Sequence, residues 1–278
     1  MRRLISFIIV FVAVLSFSAA VLAQGGEKAR ANNRVAVTSG PFDAKDFSGI
    51  WLLRGTDHIG PNPPALTPAG VAAMKGRIPE SSVKVPAFAN DPIRVCNPNG
   101  FPRIIFDSEP VEFTYTFTKD RMLQFFQWDR VLREIWTDGR QLPSGESLEN
   151  LGPAWYGHSV GTWEGDTFVV NTVGLNESAW LDEEKGRPKS FHARIEEKYK
   201  RVDADTITVQ FTLYDPEYYN APWVGDVKTF KRMPLDTYNY FGWKGLFGGI
   251  TDAICAPQDE VDNYNKRFRD PGAVGFTK

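Results

Sequence analysis

Two cysteines and three histidines are all that this 278-residue chain offers as thiolate and imidazole metal ligands. Paired-cysteine zinc motifs are therefore absent. None of His58, His158 and His192 stands at a helical or strand spacing from another that would suit one metal ion. No metal site is expected. No glycine-rich loop leads into a helix, so there is no cradle for nucleotide phosphates, and no cofactor is implied. The formal net charge is only −2, with no basic block, which argues against a nucleic-acid partner. Past the first residues no apolar run is long enough to span a bilayer. Nothing in the sequence sets the oligomeric state.

Aromatic residues make up 13% of the chain, and 24 glycines and 19 prolines favour turns over long helices. The N-terminus carries the strongest signal. Arg2 and Arg3 precede an apolar run from Leu4, and the small residues Val21 and Ala23 occupy the cleavage positions before Gln24. Residues 1–23 read as a signal peptide, so the protein is expected to be exported, periplasmic or secreted, with no membrane span after cleavage. Residues 24–45 read as a flexible lead-in. Residues 46–278 read as a single β-barrel domain with a loop-rich tail from about 233. An even cysteine count in an exported chain predicts a Cys96–Cys255 disulfide.

The domain is expected to be all-β. "DFSGIWLL" (Asp46–Leu53) opens it as a strand, and the proline-rich stretch 55–100 holds one short helix capped by Thr67 with Pro68 at its first position. In "VEFTYTFT" apolar Val111, Phe113, Tyr115 and Phe117 alternate with polar neighbours. "MLQFFQWD" and "VLREIWTDGR" follow. "HSVGTW" and "TFVVNTVG" flank an "EGD" turn, "ARIEEKYKRV" and "TITVQFTLY" flank "DAD", and "WVGDVKTFKR" is the last clear strand. "PQDEVDNYNKRF" suits a short helix in the tail. About ten short strands joined by turns predict an antiparallel meander closing into a barrel, with short peripheral helices and long proline-rich loops.

The stretch "GHSVG" (Gly157–Gly161) matches the G-x-S-x-G nucleophile elbow of serine hydrolases. That elbow needs a buried strand, a sharp turn at serine, and then a helix. Here a proline-containing loop precedes it and hairpin chemistry follows. Ser159 is therefore expected to be an ordinary strand residue, not a nucleophile.

The pieces "DFSGIW", "DPIRVCNPNGFPR", "REIWTDGRQLP", "WYGHSVGTWEGDTFVVNTVGLNESAWLD" and "DPEYYNAPW" together resemble an uncharacterised family of exported proteins from soil bacteria. The resemblance implies export and a shared β-rich domain, and carries no reaction with it. "DFSGIW" also resembles the early G-x-W strand of lipocalins, which implies a lipocalin-like barrel with a tryptophan plugging one end.

Strand alternation supplies the site candidates. On "ARIEEKYKRV", Ile195, Glu197, Tyr199 and Arg201 share one face, and on "VLREIWT" Val131, Arg133 and Ile135 share another. Two inward charges of opposite sign are expected to pair, either as a polar anchor for a ligand or as a structural ion pair. The ligand-binding set is then Arg133, Glu197, Tyr199, Trp128, Tyr156 and His158, with rings disposed around a barrel mouth. Tyr156, His158, Asp182 and Glu197 are the weaker candidates for proton transfer. The expected function is that of an exported barrel binding a small apolar or aromatic molecule. The first alternative is an acid–base enzyme of the same fold, of isomerase, lyase or hydratase type. The second is a structural or interaction module.

Overall fold

The computed structural model describes residues 42–54, 58–85, 88–106, 111–115, 119–126 and 130–232, together with Cys255. These belong to one compact unit, Ser39–Met233 with Gly249–Lys278. The signal-peptide segment, most of the lead-in and the tail helix expected at "PQDEVDNYNKRF" lie outside the described residues, as does Trp128.

The fold is all-β and barrel-like. Among the described residues there are nine strands: β1 (Gly49–Arg54), β2 (Val111–Tyr115), β3 (Arg121–Phe126), β4 (Val131–Trp136), β5 (His158–Glu164), β6 (Thr167–Val173), β7 (Arg194–Asp203), β8 (Thr206–Tyr214) and β9 (Trp223–Arg232). Consecutive strands pair in chain order, and β1 pairs with β9 as well as with β2. Short helices decorate the sheet: α1 (Pro68–Met74), the single turn α2 (Arg103–Phe106) and α3 (Glu146–Leu151). The Thr67 side chain caps α1 by accepting from the Gly70 amide at 3.1 Å, with Pro68 at the start as expected.

The expectation of a wholly antiparallel meander is corrected at one seam. β4 and β5 run parallel, pairing Ile135 with Ser159 and Trp136 with Val160. The Asp138–Gly139 turn does not fold β4 back on a neighbour. The chain instead crosses the molecule through 137–157, including α3, before β5 begins. A parallel pair needs a crossover of about a dozen residues or more, and this connection supplies it.

Alternation sets the interior. β7 shows strictly alternating burial from Arg194 to Arg201, with Ile195, Glu197, Tyr199 and Arg201 inside. β4 turns Arg133 and Ile135 inward and leaves Leu132 and Glu134 exposed. Rings fill much of the inside. Phe113 meets Tyr199 edge-on at 5.7 Å, and Phe47 packs on Trp163 at 5.3 Å and on Phe168 at 6.1 Å. Trp51 is fully buried at one end and donates its indole N–H to the Phe47 carbonyl at 2.9 Å. From the other side α2 inserts Ile104, Ile105 and Phe106, all buried.

The registers place the connections unevenly. Hairpins 165–166 and 204–205 sit at the end where β1 begins, and β2 ends and β3 starts there as well. The long connections 55–110, 174–193 and 215–222 all leave from the opposite end, and the crossover 137–157 arrives there. Cys96 lies on the first of these connections, bonded to Cys255 across 159 positions of sequence. No helix among the described residues is long and apolar enough to cross a membrane.

Candidate functional site

Inside the barrel-like sheet, Arg133 and Glu197 meet as their strand positions require. Arg133 Nη2 donates to Glu197 Oε1 at 2.6 Å and Nη1 donates to Oε2 at 3.0 Å. Their side chains are 1% and 0% exposed. The remaining capacity of both groups is largely used. Gln124 Oε1 accepts from Arg133 Nη1 at 2.7 Å, and Ser159 Oγ and Thr172 Oγ1 accept from Nη2 at 3.0 and 2.7 Å. The Tyr199 hydroxyl donates to Glu197 Oε2 at 2.6 Å and accepts from Gln124 Nε2 at 3.2 Å. The Phe101 ring lies 3.7 Å from the Arg133 guanidinium carbon. Burial, and then the Glu197 carboxylate, hold the Tyr199 hydroxyl well above its ordinary pKa, so it stays a proton donor to that carboxylate.

This network settles the role of the "GHSVG" stretch. Ser159 is buried on β5, with no helix after it, and its Oγ serves Arg133 and Thr172. The imidazole next to it points elsewhere: His158 Nε2 lies 3.1 Å from the Gly152 carbonyl. Gly161 leaves room for the strands beside it, since a Cβ there would run into the Phe168 ring and approach Ile135 Cγ2 at 2.9 Å. These are packing reasons for glycine.

The long-loop end carries the second concentration of polar groups. Arg103 on α2 is 1% exposed, and its Nη1 donates to both oxygens of buried Asp91, at 2.9 and 2.8 Å. Asp182 accepts from Arg187 at 3.0 Å and from the Lys185 amide at 2.6 Å. Asp215 holds Ser190 through the amide and the hydroxyl, both at 2.8 Å. Lys189 is fully buried with its ammonium bonded to the Ala179 carbonyl. Burial, and then Arg77 and Arg103, push its pKa down to about 7. The rings of Trp180, Tyr219 and Trp223 are buried among these groups, and Arg77 and Arg187 stack over Trp180 and Trp223.

The expected residues thus divide. Arg133, Glu197 and Tyr199 share one interior network. His158 starts β5 at the long-loop end, just after Tyr156, whose ring packs against the core. Asp182 belongs to the loop cluster, its carboxylate taken by Arg187 and the Lys185 amide. Alternation missed Arg103, Lys189 and Asp215, because they sit on a helical turn and on loops that have no period to read. No group of three His, Cys, Asp or Glu side chains among the described residues is placed to hold a metal ion. No family model, curated protein or solved structure matches this chain.

Proposed function

We propose that this protein is an exported, lipocalin-like barrel that binds a small apolar or aromatic molecule at its long-loop end. The pairing of β1 with β9 supports a closed barrel of that kind. One observation carries the reading. Three long connections leave from one end and the crossover arrives there, bringing buried rings and charged side chains together, while the β5–β6 and β7–β8 turns lie at the other end. Loops held by a rigid scaffold are where binding groups concentrate.

Arg133 and Glu197 take a structural part in this reading. Both Glu197 oxygens and both Arg133 Nη atoms have protein partners, and Arg133 Nε is the one polar atom of the pair left without one. The same saturation weighs against Glu197 as a general base, because a base needs a substrate proton within reach.

The test is mass spectrometry of small molecules released when the purified protein is denatured. A discrete apolar or aromatic compound, in about one-to-one amount, is the expected result. A protein that releases nothing and binds no such compound on screening would overturn the reading.

A further inference from the structure

We infer that the Nε–Nη2 edge of Arg103 is a binding fork for the carboxylate of a small aromatic acid. This inference rests on the binding reading above and adds the charged group of its ligand. Arg103 is anchored by one end only. Asp91 takes Nη1 through both oxygens, and Asp91 is itself held by accepting from the Ile93 amide at 3.2 Å. The Nε and Nη2 atoms are buried and have no hydrogen-bond partner. On a planar guanidinium the Nε–H and one Nη2–H run parallel along the same edge. That edge is the bidentate match for a carboxylate. Leaving it unmade inside a protein is costly, because buried charged donors are normally satisfied.

Three further features point the same way. The indole Nε1 of Trp223, at the same end, is also a buried donor without a partner. Lys189 adds a buried amine whose charged form is opposed first by burial and then by Arg77 and Arg103, so cationic side chains gather at this end. Glu183 lies beside this edge at the surface. Its carboxylate is 4.0 Å from Arg103 Nη2, beyond hydrogen-bond range, and its side chain is 53% exposed. It is positioned to compete with an incoming acid and to swing away into water. The nearby Asp91, Asp182 and Glu183 carboxylates disfavour a dianion, so a carboxylate fits better than a phosphate. The buried Trp180, Tyr219 and Trp223 rings favour an aromatic body.

The experiment is calorimetric titration of the purified protein with benzoate, with neutral benzamide and inorganic phosphate as comparison arms. Benzoate is expected to bind with a dissociation constant of about 1 mM or below. Arg103→Lys keeps a cation for Asp91 but loses the fork, and is expected to weaken benzoate about tenfold or more while benzamide changes little. Glu183→Gln, at a half-exposed side chain, is expected to tighten benzoate severalfold. Three results would each overturn the fork: no benzoate binding, equal binding by benzamide, or phosphate binding more tightly than benzoate. Benzamide binding alone would leave the ligand-binding reading standing. Failure of both aromatic probes, with nothing released on denaturation, would remove that reading as well. If Arg103→Lys fails to fold, the Glu183→Gln titration decides, and an unchanged affinity there counts against the fork.

Discussion

At the scale of single residues, two buried charges carry most of the consequences. Arg133 and Glu197 pair through both oxygens in a place water does not reach. Removing one partner strands the other, and for well-buried pairs this costs about 3–5 kcal/mol. Glu197→Gln and Arg133→Met are each expected to lower stability by that order, and the double variant by less than the sum. A double-mutant cycle by denaturant unfolding checks this, and additive losses would contradict it. Lys189 makes a prediction about pH. Its amine is depressed to about 7 in the folded protein, with burial as the first cause. Between that value and its ordinary pKa near 10.4 the unfolded chain holds the proton and the folded chain does not. Stability therefore rises with pH across that window, by up to about 1.4 kcal/mol per pH unit from this group alone. Above about pH 10 the raised tyrosines, Tyr199 and Tyr218, act in the opposite sense. The measurement is the unfolding midpoint from pH 6 to 9.5 beside Lys189→Met, which is expected to lack the rise. Parallel profiles would refute the assignment. Arg133 and Glu197 were legible in the sequence because a strand has period two. Arg103 and Lys189 were not, because a one-turn helix and a loop have none.

At the scale of elements, the strands announced themselves and the connections did not. β9 falls on the expected "WVGDVKTFKR", and the "EGD" and "DAD" turns close the expected hairpins. α3 went unread, although Gly145 and Gly152 bracket "ESLENL" and both take positive φ. Missing that crossover is what made the β4–β5 pair look antiparallel. The seam also explains the glycine requirement on β5. Gly161→Ala is expected to cost about 1–3 kcal/mol, because Phe168 and Ile135 must give way. Ser159 is expected to stay unlabelled by a fluorophosphonate probe, since its hydroxyl serves a buried network and no helix follows it. Stoichiometric labelling, or a neutral Gly161→Ala, would mean that this strand is misplaced.

At the scale of the whole molecule, the chain is tied at a distance. The Cys96–Cys255 bond closes a span of 159 positions, from the first long connection to the tail. The loop-entropy account puts the gain near about 5 kcal/mol for so large a loop, and measured values often fall below it. Non-reducing peptide mapping is expected to find the two peptides linked, and Cys96→Ser together with Cys255→Ser is expected to lower the unfolding midpoint. Free thiols without reductant would count against both the bond and the export that predicts it. The two ends of the barrel-like sheet differ: the β5–β6 and β7–β8 turns lie at one, and loops with rings and charges at the other. The most direct test is hydrogen-exchange mass spectrometry of the purified protein with and without a saturating small aromatic acid. The account expects added protection in 91–106, 174–193 and 215–222, with the 165–166 and 204–205 turns unchanged. Protection confined to the turn end, or none at saturation, would contradict it.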